Sequence, residues 1–273
     1  MRRFTRDPLA VAGLVLTAIV LGAALFAPWL APYPEHAGRF VDVDRIQLGP
    51  HAAHVLGTDA VGRDMLSRIL FGYRSSLGLA VLVLSLAVPV GVSVGLVAGF
   101  RGGWVEWVLM RFTEVFLAIP SLVLALAILG LFEPSLSMAM VAVAGAWWPW
   151  YARLVYNQVR SIRTEDYIVA ARVAGASDMR IMFTEVLPVA SGSILTKMTL
   201  DMGFVILLGS SLGFLGLGAQ PPAPDLGTMV AEGAQYLPDV WWQSVFSGLA
   251  ILLAVLGFNL VGDGLRDVLG VDA

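Results

Sequence analysis

The sequence contains no cysteine and a single lysine, and these two absences exclude several kinds of site. Without a thiol, the 273 residues can form no disulfide, no thiolate metal site and no cysteine nucleophile. The phosphate-binding loop of nucleotide hydrolases requires Gly-Lys-Ser/Thr, whereas the lysine here, Lys197, follows Thr196. We therefore expect that this chain has no catalytic residue, binds no nucleotide and holds no cofactor or metal itself.

Charge is also scarce, which excludes further classes. Only 14% of the residues are charged, 58% are hydrophobic and the formal net charge is −3. A composition this apolar is not that of a soluble globular domain. The weak negative charge argues against nucleic acid as a partner, because surfaces that bind nucleic acid are basic.

Long apolar runs occupy most of the chain. Each can cross about 30 Å of hydrocarbon as a helix, which satisfies its own backbone hydrogen bonds in lipid. We predict an all-α polytopic membrane protein with six transmembrane helices, at about residues 9–30, 75–100, 108–132, 135–156, 196–219 and 240–262. The first run is too long for a signal peptide and is followed by Pro32 and Pro34 rather than a cleavage site, so an uncleaved anchor is favoured.

The segments between these runs complete the predicted organisation. Residues 1–74 hold the anchor helix, an external loop and an amphipathic helix over 59–75 in the membrane interface. Residues 75–262 form a core of five spans, with polar loops at 157–190 and 220–239. Residues 263–273 form a polar tail.

The basic residues predict which side of the membrane each loop occupies. With the N-terminus in the cytoplasm, 12 of the 17 Lys and Arg residues lie inside, and the other 5 lie in the one long external loop. Both termini, the 157–190 loop and the 263–273 tail are therefore predicted to be cytoplasmic. The 220–239 loop is predicted to be external.

The first half of segment 164–188 has the pattern of a short amphipathic helix. Thr164 is a predicted N-cap, and Glu165 and Asp166 follow where the positive end of a helix favours acidic side chains. A small apolar face recurs at helical spacing through Tyr167, Ala170, Ala171 and Ala174.

The second half of this segment predicts a second helix after a turn. Gly175 is a candidate left-handed terminator, and Ser177 and Asp178 resemble an N-cap and first turn. The helical pattern is predicted to continue until Pro188. Such a helical pair either plugs into another protein or lies as an amphipathic hairpin on the lipid surface.

Two sets of polar residues have simple explanations. His51 and His54, with His36 upstream, lie in a non-periodic loop without a clear third ligand, which favours ordinary polar histidines over a metal site. Acidic residues near the ends of two spans are spaced for pairing along a helix face: Glu114 with Arg111, and Asp201 with Lys197.

Two further patterns leave alternatives open. Small residues make the fifth span suited either to close packing or to lining a pathway: Gly203, Gly209, Gly213, Gly216 and Gly218. The aromatic run at 147–151 is more typical of interfacial anchoring and packing than of a binding cage.

Segment 164–188 resembles the EAA coupling loop of ABC-importer permeases, whose pattern is Glu-Ala-Ala-x-x-x-Gly followed by Ile/Val-x-x-Pro. Ala170, Ala171, Gly175 and Pro188 match it. Val169 stands where the family usually has Glu, so a salt bridge from that position is absent or is supplied by Glu165 or Asp166.

Phrases elsewhere extend the likeness over nearly the whole chain. They are similar to the C-type permeases of dipeptide, oligopeptide and nickel ABC importers. The phrases are Asp7-Pro-Leu-Ala, the stretch from His54 to Arg68, Pro149-x-Tyr-Ala-Arg153, Phe214-Leu-Gly-Leu-Gly218-x-Gln-Pro-Pro222, and Phe258-Asn-Leu-x-Gly-Asp-Gly-Leu-Arg266. Gly209 stands where an acidic residue is common, so a pore charge at that height is not implied.

The resemblance implies the type I ABC importer permease fold and a pore-forming role in importing di- or oligopeptides across the cytoplasmic membrane of a bacterium or archaeon. The implied partners are a second permease in a heterodimer, two ATPase subunits that hold ATP and Mg, an external solute-binding protein and membrane lipid. Alternatives are nickel or glutathione-like cargo, a secondary transporter without an ATPase, or a membrane scaffold. A secondary transporter would predict inverted repeats and mid-membrane ionisable groups, and neither is visible.

The resemblance also implies two sets of site residues. The ATPase-coupling residues are Glu165, Asp166, Tyr167, Ala170, Ala171, Arg172, Gly175, Ala176, Ser177 and Asp178. The pathway or gate residues are Gly209, Gly213, Phe214, Gly216 and Gly218.

Overall fold

The structure, a computed structural model, describes residues 7–133 and 135–269. These residues form helices joined by loops, with only two isolated bridges between extended residues, and the predicted all-α class is confirmed. The α-helices are α1 (Pro8–Leu25), α2 (Ala27–Leu30), α3 (Met65–Arg101), α4 (Gly103–Leu117), α5 (Ser121–Leu129), α6 (Leu136–Ile162), α7 (Asp166–Val173), α8 (Asp178–Ile181), α9 (Leu187–Phe214), α10 (Leu226–Ala234) and α11 (Trp241–Leu269). Two short 3-10 turns, Pro34–Ala37 and Val43–Arg45, precede α3, and a π-helical turn, Met182–Val186, joins α8 to α9.

Four helical segments are long and apolar enough to cross a membrane: α1, α3, the continuous helix Asp178–Phe214, and α11. Helices α4 and α5 together would form a fifth span, but they meet at an angle of 86°. α6 is 27 residues long, and the aromatic run at 147–151 lowers its hydropathy even though much of it is buried in the bundle. The described residues therefore contain four or five candidate spans by composition, and the sixth span, over 135–156, stays a prediction.

α3 and α6 form the centre of the bundle and run side by side in the same direction. Three glycines at four-residue spacing, Gly91, Gly95 and Gly99, face residues 148–159 of α6. A Cβ atom at any of them would collide with the backbone or a β-carbon of α6. Close backbone approach of this kind is how helices associate in lipid, because burial of apolar side chains from water is no longer available there.

α11 closes the other side of the bundle against α1 and α9. Gly13 of α1 lies against Leu260, and Gly203 of α9 lies against Asn259. Gly262 of α11 in turn packs against Leu200 of α9. Glycine thus lies at each of these close helix contacts.

The region before α3 differs from the prediction of a separate interfacial helix over 59–75. Residues up to Asp64 belong to the loop, and the Asp64 carboxylate caps α3 by accepting a hydrogen bond from Ser67 N at 2.8 Å. α3 then continues without interruption through the predicted span over 75–100. Its first turns join the core instead of lying in the interface, because Met65, Ile69 and Tyr73 are buried.

Several other helix ends differ from prediction. The span over 108–132 is broken at residues 118–120, since Pro120 restricts the preceding residue and has no amide proton to donate. Pro188 does not end a helix, because the helical backbone continues from Asp178 past Pro188 to Phe214, with the π-helical turn Met182–Val186 just before the proline. α9 ends at Phe214 instead of 219, and α11 continues to Leu269, so residues 263–269 of the predicted polar tail are helical. The basic start, residues 1–6, and the last four residues lie outside the described residues.

The glycine contact between α3 and α6 gives a direct test. Gly95→Leu should destabilise the protein by roughly 1–3 kcal/mol, because a larger side chain must separate two tightly packed helices. Thermal unfolding of the purified protein in detergent measures this as a lower melting temperature. Gly78→Leu is the matched control on the same helix, since nothing lies within 4 Å of a Cβ placed there. Equal melting temperatures for the two variants would contradict the packing described.

Candidate functional site

The polar segment between α6 and α9 folds as two short helices, α7 and α8, joined by a turn. α7 begins after Glu165, which makes no side-chain capping hydrogen bond. The prediction that Thr164 caps this helix is wrong: its hydroxyl donates to Ser161 O at 2.9 Å. Thr164 lies in the turn that ends α6, and its side chain therefore satisfies a free carbonyl of that helix instead of an amide of α7.

The turn itself has the predicted glycine terminator. Gly175 has φ +85°, the left-handed conformation that glycine adopts without steric cost. Gly175 N donates to Arg172 O at 3.0 Å and Ala176 N donates to Ala171 O at 3.1 Å, the paired hydrogen bonds of a Schellman motif. Ser177 then caps α8 as predicted, with its hydroxyl accepting from Arg180 N at 3.4 Å. The two helices are therefore held at a defined angle by hydrogen bonds of their own backbone.

One face of the α7–α8 pair is anchored to the bundle. Ile168 and Ile181 are fully buried, and Met182 beside them is nearly so. The guanidinium of Arg172 lies 5.2 Å from the centre of the Phe100 ring at the end of α3, a favourable cation–π contact. The pair is thus attached to the bundle.

The opposite face is open to solvent. Most residues of the predicted small apolar face lie on it. Tyr167, Ala170 and Ala174 are exposed, whereas Ala171 packs against the core. Val173 is 85% exposed and Met179 58%. A Cβ added at Gly175 would meet no atom within 4 Å. This exposed surface, residues 165–179 apart from Ile168, Ala171, Arg172, Ala176 and Asp178, is called the open face below.

The open face is connected to a membrane span without a flexible joint. α8, the π-helical turn and α9 form one continuous helix, Asp178–Phe214, of 37 residues. The α7–α8 pair is therefore joined to α9 by helical backbone. π-helical turns of this kind are rare and occur often at functional sites.

The predicted pathway glycines of α9 are mostly explained by packing. A Cβ at Gly209 would lie 2.9 Å from Leu79 of α3. Gly213 and Gly218 lie against each other and against the carboxylate of Asp225. Gly216 has φ +79° and no neighbour within 4 Å, so the turn after α9 rather than contact requires glycine there.

Phe214 is placed differently from those glycines. Its ring is about half exposed and lines a cavity of about 320 Å³ together with Leu207, Ser211 and Val230. The structure therefore separates the five predicted pathway residues into four with a packing or backbone reason and one that borders open space.

The loop before α3 is ordered by buried charge. Asp59 accepts a hydrogen bond from Arg63 Nε at 2.7 Å and lies 3.3 Å from Arg68 Nε. Arg68 in turn donates to the carbonyl oxygen of Pro222 at 3.4 Å, which links this loop to the 220–239 loop. Sequence reasoning missed this cluster, and the dense charges of 59–68 beside an apolar run were the available signal.

Histidines of this loop form hydrogen bonds with other groups of the protein. His54 Nδ1 lies 2.9 Å from Asp64 Oδ1, and His36 Nδ1 accepts a hydrogen bond from Asp64 N at 2.8 Å. Burial lowers the pKa of His36, which favours the neutral ring that this acceptor role requires. Among the residues that the structure describes, no group of three or more His, Cys, Asp or Glu is arranged to hold a metal ion.

Burial also shifts the pKa of two acidic residues in the 220–239 loop. It raises the pKa of Glu232, opposed by the attraction of Arg68, and raises the pKa of Asp225, opposed by hydrogen bonds from Thr228. Asp225 caps α10 by accepting from Thr228 N at 2.9 Å. The loop is therefore a packed element on the rim of the bundle.

The predicted pairs along helix faces are present, and each extends to a second helix. Glu114 accepts from Arg111 at 3.1 Å and also from Arg153 of α6 at 3.0 Å. Asp201 pairs with Lys197 at 3.2 Å and accepts from the indole of Trp147, also on α6, at 2.9 Å. These carboxylates therefore connect α6 to its neighbours rather than serving one helix alone.

Two family models match the chain. The model of binding-protein-dependent transport system inner membrane components matches residues 91–270, and that of the N-terminal TM domain of oligopeptide transport permease C matches residues 1–50. The fold is also found in a solved structure, the MetNI methionine ABC transporter in an inward-facing conformation. It aligns with a TM-score of 0.62 at 21% identity, over 75% of this chain and 97% of that one. The type I importer permease fold predicted from sequence is therefore confirmed.

Curated relatives align over almost the full length. The dipeptide transport system permease protein DppC of Escherichia coli K12 is 46% identical over 270 residues, 97% of this chain and 90% of that protein. The di/tripeptide permease DppC of Pseudomonas aeruginosa UCBPP-PA14 is 42% identical, over 97% and 89%. The glutathione permease GsiD of Pectobacterium atrosepticum is 39% identical, over 98% and 88%. With a family model that covers its helical core and relatives at this level of identity, the chain belongs to the inner membrane components of binding-protein-dependent ABC transport systems.

Proposed function

We propose that this chain forms the translocation pathway for short peptides together with a second, non-identical permease, and that the open face of the α7–α8 pair is where an ATPase subunit docks. ATPase subunits and an external binding protein are the partners that membership of the family implies. In this proposal ATP and Mg are bound by the ATPases and not by this chain.

The observation that carries the docking proposal is the combination of an anchored face and an open face on one rigid unit. Ile168 and Ile181 hold the pair to the bundle, while small and apolar residues point away from it. A helical pair laid on lipid would bury its apolar face in the membrane. Here the buried face is occupied by the protein itself, and the open face bears acidic residues beside its apolar ones, which suits a groove in a partner protein.

The charge at the docking surface comes from the N-terminal end of α7. Val169 is exposed and uncharged at the position where related loops carry Glu. Glu165 and Asp166 are exposed at the start of the same helix. These two carboxylates are therefore our candidates for pairing with basic residues of the ATPase.

The mechanism follows from the continuous helix. When two ATPases close on ATP, each displaces the α7–α8 pair that it holds, and the displacement passes into α9. α9 packs against α3, α6 and α11, so the motion is a rigid-body rotation of packed helices. The pathway then opens toward the loaded binding protein at the 31–73 and 220–239 loops. This scheme requires both termini and the α7–α8 pair to be cytoplasmic, as the distribution of arginines predicts.

Short peptides are the proposed cargo because the relatives cited above transport dipeptides, di- and tripeptides, or glutathione. Glutathione is itself a tripeptide with one unusual linkage, so these names share one chemistry, a small zwitterionic peptide. Glutathione is the second candidate within that class. Nickel complexes are the alternative outside it.

Gly175→Trp tests the docking role. Bulk at the open face should reduce uptake and substrate-stimulated ATP hydrolysis of the reconstituted complex by about tenfold or more, the effect of losing about 1.4 kcal/mol of docking free energy. Gly175→Ala is the control, since it imposes the same left-handed backbone strain without the bulk. If the Trp variant transports and hydrolyses ATP as the Ala variant does, the open face does not receive the ATPase.

Competition for uptake tests the cargo. Proteoliposomes containing the complete complex and its binding protein should accumulate a labelled dipeptide, and an excess of unlabelled di- or tripeptide should abolish the signal. We expect glutathione to compete more weakly and a nickel chelate not to compete. Import of nickel, or a dipeptide signal that only glutathione suppresses, would replace peptides as the proposed cargo without affecting the docking role.

A further inference from the structure

A cavity of about 950 Å³ lies between the corner that joins α3 to α4 and the base of the α7–α8 pair. Its walls come from the end of α3, the first turn of α4, the residues just after α6, and Arg172 of α7 and Asp178 of α8. Three arginines line it, Arg101, Arg163 and Arg172, against a single carboxylate, Asp178. None of the proposed transport steps uses this cavity.

The three guanidinium groups have no carboxylate partner. Arg163 donates to Gly99 O at 2.8 Å, and Arg172 lies over the Phe100 ring. Across residues 7–133 and 135–269, no carboxylate oxygen lies within 4.0 Å of a nitrogen of these three side chains. Their positive charge is therefore available to a ligand, and it is concentrated in one concave space.

A second carboxylate, that of Glu106, lies near the cavity, because Glu106 Oε2 and Arg163 Nη1 are both within 4 Å of a Cβ placed at Gly102. Glu106 accepts a hydrogen bond from the Tyr156 hydroxyl, to which Arg160 also donates at 3.3 Å. The charge around the cavity is therefore positive, since Arg101, Arg160, Arg163 and Arg172 outnumber Asp178 and Glu106.

One wall of the cavity continues into an apolar surface of the protein. Trp104 lines the cavity and is 76% exposed. Trp107 and Phe112 follow at helical spacing on the same exposed face of α4. Tryptophan is enriched where a membrane meets water, so this wall has the composition of a surface that contacts lipid at the level of the headgroups.

We propose that this cavity binds an anionic phosphate group, and that the group is the headgroup of a phospholipid in the leaflet at this end of the bundle. Guanidinium groups form paired, charge-assisted hydrogen bonds with phosphate oxygens, and the aromatic wall admits the glycerol and acyl parts. Under the orientation proposed above this is the cytoplasmic leaflet. The headgroup would lie beneath the α7–α8 pair, between it and the end of α3.

Headgroup photocrosslinking tests the site in the complete complex. The complex with its ATPases is placed in nanodiscs of phosphatidylcholine that contain a trace of photoactivatable phosphatidylglycerol or photoactivatable phosphatidylcholine. Phosphatidylglycerol should label residues 101–105 preferentially. Arg101→Gln should reduce that labelling about fivefold, the equivalent of about 1 kcal/mol for one basic residue at an anionic membrane surface.

Arg111→Gln is the matched control, because Arg111 is an exposed arginine of the neighbouring helix α4 that does not line the cavity. It should leave the labelling unchanged, and melting temperatures should show that both variants fold. Equal labelling by the two lipids, or equal losses for the two variants, would indicate only a general attraction between lipids and this surface. Either result would overturn the proposal of a headgroup site. Loss of labelling on addition of inorganic phosphate at constant ionic strength would identify a free anion as the occupant. Labelling of the permease alone but not of the complex would mean that the ATPase fills the cavity.

Discussion

The contact between α3 and α6 is the constraint on which the rest of the structure depends. Within a membrane, apolar side chains gain little by leaving lipid for protein, so helices must be held by close backbone approach and by internal polar contacts. Gly91, Gly95 and Gly99 supply the approach over three turns. Both helices then end at the same level, and that shared end is the base on which the α7–α8 pair rests.

The attachments at that base are specific and varied. Phe100 of α3 receives the guanidinium of Arg172, and Arg163 donates to the backbone of Gly99. Ile168 and Ile181 add buried apolar surface. A partner that pulls on the open face therefore pulls on the ends of the two central helices and, through the continuous helix, on α9. The π-helical turn between α8 and α9 is the one irregularity along that path.

Polar side chains between the helices of this bundle connect them. Asp201, Lys197 and Trp147 join α9 to α6, and Glu114 joins α4 to α6 through Arg153. At the other end, Asp59, Arg63 and Arg68 hold the loop before α3, and the Arg68 link to Pro222 brings in the 220–239 loop. In both places a carboxylate meets more than one donor, as is expected where an unpaired charge would be expensive.

The sequence by itself determined the helical class and the positions of most spans. It also determined that a polar helical pair lies between the fourth and the fifth predicted span. These features could be predicted because apolar periodicity and capping residues act locally. Ser177 and Gly175 could be assigned in this way, since a cap and a left-handed glycine depend on a few neighbouring residues. Thr164 could not, because two helices offered its hydroxyl different partners and only their final spacing chose between them. The burial of the first turns of α3 and the division of the open face from the buried one were decided by tertiary structure. Each depends on which residues from distant parts of the chain occupy the neighbouring space, as Leu226 does beside Gly72 of α3 and Phe100 beside Arg172. The same holds for the arginine-lined cavity, whose three charges are dispersed over 71 residues of sequence and meet only when α3, α6 and α7 come together.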